Sequence, residues 1–339
     1  AAEVGLLESG WLADQLLAHR VRTHMLRKCR TIDLTLLRDL RSVVGSVRPD
    51  VVHCHLSAMN LYGSFAAASL RIPAVVHVHG LSQDFEFARR RLVQRIVWAC
   101  ASRIVTVSEY LAREIRRRGA PSTKLVCIPN GVDLSRFRPR ADVGVLRADM
   151  GLPKESALVG VVSRLEYRKG VDLAVEAFGA VRETRRDAYL VIAGEGTQRA
   201  ELEARVRALG LSDSVRFLGH VDHVSSVFGA ADVVLVPSRT EGFSLSAAEA
   251  MAAGCPVIAW DHQGPREVVA DGVAGRLVPP FDIPGMASAT LDLISRPSLR
   301  RAMGESGRAH VRQHYSRDRM NDAWLSLYTY LVDRSRMVA

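Results

Sequence analysis

Short apolar runs recur along this chain, and between them apolar residues repeat at helical spacing. In the first 140 residues the runs are "DVVHCHL" (50–56), "AVVHVHG" (74–80), "RIVTVS" (103–108) and "KLVCIPNGV" (124–132). Helices are predicted over 60–70, 85–101 and 109–118. Further on come "ALVGVVSRL" (157–165), "AYLVIAGEG" (188–196), "SVRFLGHV" (214–221), "DVVLVPS" (232–238), "PVIAWD" (256–261) and "AGRLVPP" (274–280). Helices are predicted there over 171–183, 198–209, 224–230, 246–253 and 265–270. Val/Ile-rich runs without strict alternation are buried on both faces, as in parallel sheets covered by helices. Strand and helix alternate in two successive series. That predicts an α/β protein of two doubly wound, Rossmann-like domains facing a central cleft. The boundary falls in "NGVDLSRFRPRADVG" (130–144), which carries turn residues and a proline. The expected domains are 1–140 and 141–315, with a last helix over 316–339 packing back on the first domain. The tail from 283 reads as helices punctuated by Pro297.

The composition, 48% apolar and 24% charged over 339 residues, fits two domains with sizeable cores. Cys29, Cys54, Cys100, Cys127 and Cys255 are scattered and form no CxxC pair. They signal neither a disulfide framework nor a zinc knuckle, and a reducing, cytoplasmic setting is expected. No apolar run reaches the roughly 18 residues of a spanning helix. The start, "AAEVGLLESGWLADQ", lacks Met and the basic segment of a secretory signal.

Charge sharpens the picture. Residues 1–140 hold 22 Lys+Arg against 11 Asp+Glu, while the remainder holds 24 against 25. The basic excess of the first part suits an anionic partner or a solvated Arg-rich surface. "FEFARRRLVQRIVWACA" (85–101) and "REIRRRG" (113–119) could form interfacial helices on anionic lipid, or ordinary amphipathic helices packed on a sheet. Aromatics, at 6%, are not interleaved with the cations, so no nucleic-acid partner is expected.

Chemistry-bearing residues gather at predicted strand ends. In "SRLEYRKG" (163–170), Arg164 and Lys169 precede a helix N-terminus, which makes an anion site able to balance a diphosphate leaving group. In "AGEGTQ" (193–198), Gly194 and Gly196 fit either close approach to a ligand or a tight turn. In "EGFSLSAAE" (241–249), Glu241 has no local structural excuse, and the amides of Gly242, Phe243, Ser244 and Leu245 enter a helix. Ser246 and Glu249 together fit a capping box, which would make Glu249 structural. His77 and His79 share one strand face, with His79 at the strand end, and His53 and His55 stand similarly one strand earlier. No acid or Cys falls at ligand spacing, so lining histidines are expected rather than metal ligands.

These motifs resemble the GT-B glycosyltransferases, specifically the retaining family 4. Glu241 and Glu249 satisfy its E-x7-E pattern, and "VVHVHG", "PNGVD", "SRLEYRKG" and "AGEG" fall in the family's order. The resemblance implies a GT-B fold and transfer of a hexose from a nucleoside diphosphate sugar, with retained configuration and no metal or other cofactor. Arg164 and Lys169 would bind the donor diphosphate. Glu241 and residues 242–245 would line the sugar pocket, Gly194 and Gly196 would approach the donor, and Glu249 would hold the ribose hydroxyls. His79 would reach the donor sugar, and His220 in "FLGHV" would border the base. A glycan, lipid-linked or small-molecule acceptor and a peripheral place on the cytoplasmic membrane face would follow. The usual first strand and Gly-rich loop are not seen before 1–10, so roughly 50 residues, about one βαβ unit, are expected to be missing. Ser244 replaces the small residue of the family's "EGFG". A sugar-nucleotide-binding protein without turnover, or an epimerase or phosphorylase of the same architecture, is the alternative.

Overall fold

A computed structural model describes residues 2–28, 33–81, 88–137 and 143–338. The chain divides into two compact units. One holds 1–106, 112–128 and 324–339, and the other holds 107–111 and 129–323.

The first unit runs β1 (Glu3–Leu6), α1 (Trp11–Ala18), β2 (Arg22–Met25), α2 (Leu34–Val47), β3 (Val52–His55), α3 (Ser57–Ser69), β4 (Ala74–Val78), α4 (Ala88–Cys100), β5 (Arg103–Thr106), α5 (Glu109–Arg117) and β6 (Leu125–Cys127). Helix α5 begins among residues counted with the second unit. Strands β3, β4, β5 and β6 form a parallel sheet in chain order, and β1 pairs with β2 separately. The pattern of apolar runs predicts β3 to β6 and misses the elements before them. β1 and β2 are only four residues each, and β2 reads "RTHM", with no apolar run. Helix α2 does carry a signal: Asp33 caps it, accepting from the amides of Thr35 and Leu36 at 3.1 Å. Its Leu36, Leu40 and Val44 recur every four residues and are buried. Residues 85–87 of the predicted basic helix and 138–142 of the predicted boundary lie outside the described residues, as does Cys29.

The second unit runs α6 (Val143–Asp149), β7 (Ala157–Val162), α7 (Val171–Thr184), β8 (Ala188–Ala193), α8 (Arg199–Ala208), β9 (Val215–Gly219), α9 (Val224–Ala230), β10 (Val233–Val236), α10 (Leu245–Ala252), β11 (Val257–Trp260), α11 (Gln263–Val268), β12 (Gly275–Val278), α12 (Ile283–Ser295) and α13 (Pro297–His314). The last helix, α14 (Arg317–Val338), starts here and counts with the first unit from Trp324 onward. The six strands are parallel in the order β12-β11-β10-β7-β8-β9. Both faces are covered, which is why the strands read as unbroken apolar runs. Val159, Leu190, Ile192 and Trp260 join one core, and Leu158, Val191 and Ala193 join the other.

The chain winds outward from β7 to β9, then returns to place β10 against the other side of β7. That reversal is a topological switch point, where open α/β sheets hold their ligands beyond the strand ends. The loops leaving β7 and β10 there are 163–170 and 237–244, the two stretches richest in candidate residues.

Candidate active site

Three loops are joined at this edge by backbone contacts. Ser163 N–H donates to Ala193 O at 3.0 Å, Leu165 N–H to Glu195 O at 2.8 Å, and Gln198 N–H to Leu165 O at 3.0 Å. Gly194 sits at φ +134°, and a Cβ there would lie 1.9 Å from Ser163 O. One at Gly196 would lie 2.3 Å from Leu165 O. Loop-to-loop packing therefore requires both glycines, whatever their role toward a ligand. Gly219 O, at the end of β9, accepts from Gly194 N–H at 2.7 Å. His220, one residue on, is exposed, with Asp222 3.3 Å away.

Lys169 ends a short 3-10 turn, Tyr167–Lys169, and meets the loop after β10. Its Nζ donates to Glu241 Oε1 at 2.5 Å, and both side chains are largely buried. The other oxygen, Glu241 Oε2, is buried with no hydrogen-bond partner. A buried carboxylate oxygen left bare is costly, so this one marks a place where a donor group belongs. Gly264 supports the loop from behind. Its N–H donates to Glu241 O at 3.1 Å, and a Cβ there would come within 2.9 Å of Glu241 O and the Gly242 and Phe243 backbone. The Gln263 side chain accepts from Glu241 N–H at 2.8 Å.

Arg164 is two-thirds exposed and pairs with Glu166 Oε1 at 2.6 Å. Arg168 holds the other Glu166 oxygen at 2.8 Å. Phe243 is buried, with its ring edge-on to Tyr315, so only its backbone can face a ligand. Leu245 is exposed.

The capping-box expectation is overturned. Helix α10 starts at Leu245 with Ser244 at its N-cap, so Ser246 already lies in the first turn. Ser246 Oγ donates to Val162 O at 2.7 Å, so its hydroxyl is spent on strand β7. Glu249 thereby loses its local structural role. Burial pushes its carboxyl up to about 7, against a smaller downward pull from Arg136. Ser244 Oγ is also buried without a partner. Glu241, Ser244 and Glu249 thus leave polar capacity unspent around one helix N-terminus, whose amides and dipole favour anions.

A second clamp escapes a single-sequence reading. Arg239 grips Asp172 with two hydrogen bonds of 2.8 and 2.6 Å, donates to Tyr167 O and lies over the Tyr167 ring. Burial raises the Asp172 carboxyl, but the Arg239 hydrogen bonds and charge outweigh it, and the group sits below its ordinary range. This pair ties the loop after β10 to the start of α7. Its partners stand 67 residues apart, a distance no local pattern signals.

His79 belongs to the first unit. Its Nε2 lies 3.0 Å from His55 Nδ1, and its ring packs against His77 at 4.0 Å between centroids. Desolvation first, then the charge of His55, lowers it to about 4. His79 is therefore a neutral imidazole at neutral pH.

Residues 143–310 match the family of group 1 glycosyl transferases, and residues 5–136 match Glycosyltransferase Family 4. A D-inositol 3-phosphate glycosyltransferase of Actinosynnema mirum is 32% identical over 82% of this chain and 72% of its own length. The alpha-D-kanosaminyltransferase of Streptomyces kanamyceticus is 29% identical over 82% of this chain and 76% of its own length. Another D-inositol 3-phosphate glycosyltransferase, from Catenulispora acidiphila, is matched over 66% of its own length. Among solved structures, Anabaena HepE in complex with UDP-glucose superposes with a TM-score of 0.87 at 22% identity, covering 96% of this chain and 91% of its own. The chain belongs to family 4 of the glycosyltransferases, enzymes of the GT-B fold.

Proposed function

We propose that this enzyme moves a hexose from a nucleoside diphosphate sugar to a hydroxyl of a glycan, lipid-linked or small-molecule acceptor, with retained configuration and without metal. The observation that carries the reading is Glu241, locked by Lys169 through one oxygen and bare at the other. A carboxylate held that way is ready to accept a sugar hydroxyl proton. Lys169 has two further N–H donors for a phosphate oxygen, and exposed Arg164 can turn from Glu166 to the same diphosphate. Glu249 would accept from the vicinal ribose hydroxyls.

In the reaction, the bond from the sugar C1 to the diphosphate oxygen breaks and its electron pair leaves with the diphosphate. The acceptor oxygen bonds to C1 from the same face, and its proton passes to a donor phosphate oxygen. Arg164 and Lys169 balance the charge that develops on the leaving group. We assign no side-chain nucleophile. His79 keeps the role toward the donor sugar that the family likeness implies, and Gly194, Gly196 and His220 keep theirs toward the donor. Proton NMR of the product anomer tests the reading: an α-linked donor should give an α-linked product, in EDTA as well as without it. An inverted product would contradict it.

The altered titration of Glu249 gives a second check. Its carboxylate is the form that accepts hydroxyl protons, and it becomes protonated as pH falls through about 7. Nucleotide binding should therefore weaken by about tenfold from pH 8 to pH 6, the loss expected from a site that goes from mostly ionised to mostly protonated. Glu249→Gln should abolish that dependence. It should also raise stability at pH 8, because the buried charge is gone.

Peripheral attachment to the cytoplasmic membrane face belongs to the same proposal. No helix among the described residues is long and apolar enough to cross a membrane. Helix α4 exposes Leu92, Val93 and Ile96, which supports an interfacial role. Sedimentation with vesicles of anionic lipid should carry the protein down, and neutral vesicles should not.

A further inference from the structure

Four histidine rings stack on one face of the first unit's sheet. His55 pairs in register with His77 on the neighbouring parallel strand, so alternation puts His53, His55 and His77 on the same face. One ring nitrogen from each of these three lies within 4.8 Å of the others. The partners of the remaining nitrogens are arranged in a telling way. His53 Nδ1 is 2.7 Å from Tyr328 Oη, and His53 Nε2 is buried with no partner. His55 Nδ1 is 3.0 Å from His79 Nε2, which leaves His55 Nε2 outside that bond. His77 is 5% exposed, and neither of its ring nitrogens has a partner. Trp324 covers His53 and His77 at ring distances of 4.5 and 4.9 Å.

We infer that His53, His55 and His77 form a site for a divalent first-row transition ion. A histidine ligand donates its second N–H to an outer partner, which fixes the tautomer and aims the free lone pair at the metal. Tyr328 and His79 stand where such partners stand, at Nδ1 of His53 and His55, and each leaves Nε2 as the ligand atom. One bare nitrogen of His77 completes the set, and a cation relieves the cost of burying that nitrogen without a partner. Nitrogens about 2.1 Å from one ion lie no more than about 4.2 Å apart, so small ring rotations close the site. An all-imidazole set suits zinc, copper or nickel and excludes magnesium or calcium, which take oxygen ligands. The sequence hides this site because two His-x-His pairs in separate strands match no zinc-ligand spacing. Only strand register brings them together. Of these residues only His79, the partner of His55, also figures in the transfer reaction proposed above.

Calorimetry of the untagged, metal-stripped chain with Zn2+, and visible absorption with Co2+, test this. One equivalent should bind, and the Co2+ adduct should show the strong absorption of a low-coordinate nitrogen site. Zn2+ should raise the melting temperature of the wild type. His55 lies at the exposed edge of the stack, so His55→Ala should still fold yet weaken binding at least tenfold. Tyr328→Phe should weaken it by about 10- to 100-fold through loss of the orienting group. The His310→Gln/His314→Gln pair removes another histidine cluster, whose centroids are 4.9 Å apart, and should leave binding unchanged. No stoichiometric binding, binding undiminished in His55→Ala, or binding lost with His310 and His314 would each overturn the site.

Discussion

Lys169→Ala should lower kcat at least about 10²-fold and destabilise the fold by about 3–5 kcal/mol, the cost of stranding one partner of a buried ion pair. The two effects have separate causes. The catalytic loss comes from a missing cation at the leaving group and a misplaced Glu241. The stability loss comes from a Glu241 carboxylate with neither oxygen paired. A double variant tells them apart. Lys169→Met with Glu241→Leu removes both charges, and well-packed apolar replacements of buried pairs are often neutral or stabilising. Its chemical denaturation midpoint should return to near the wild-type value while transfer stays absent. If the double variant regained activity, the pair would be scaffolding and nothing more.

Gly194→Ala should be the most damaging change that touches no charge. The added methyl would meet Ser163 O at 1.9 Å, in a backbone conformation with φ +134°. Strain of about 1–3 kcal/mol for the backbone and a further 1–3 kcal/mol for overpacking should both appear. The loop after β7 must then move, carrying Arg164 and Lys169 with it. Melting temperature and nucleotide binding should fall together. A variant with wild-type stability and weakened binding would instead mean that Gly194 serves the ligand alone.

Ten of the twelve strands among the described residues are readable as apolar runs, because strands buried on both faces leave unbroken Val/Ile stretches such as "VVLV" at β10. β1 and β2 are not, since four-residue strands such as "RTHM" carry no such run. Helix α2 offers a legible cap at Asp33 and a legible stripe at Leu36, Leu40 and Val44. In the candidate site, Glu241, Lys169 and Arg164 are visible as charges at strand ends. Their pairing is not, because 72 residues separate Lys169 from Glu241 and only the switch point joins them. The same limit hides the Arg239–Asp172 clamp and the Gln263–Gly264 support. Ser246 misleads for a different reason. A serine three residues before a glutamate looks like a cap, but the helix starts earlier and the hydroxyl reaches Val162 O.

Calorimetric titration with UDP, GDP and ADP in EDTA, on the folded wild type and on Arg164→Ala, decides whether this edge of the sheet holds a nucleotide donor. Metal-free binding of one of these nucleotides is expected, weakened in the variant by about 1.5–3 kcal/mol, as for a hydrogen bond to a charged group. Failure of all three to bind a demonstrably folded chain would contradict the assignment of a donor site to Arg164, Lys169, Glu241 and Glu249.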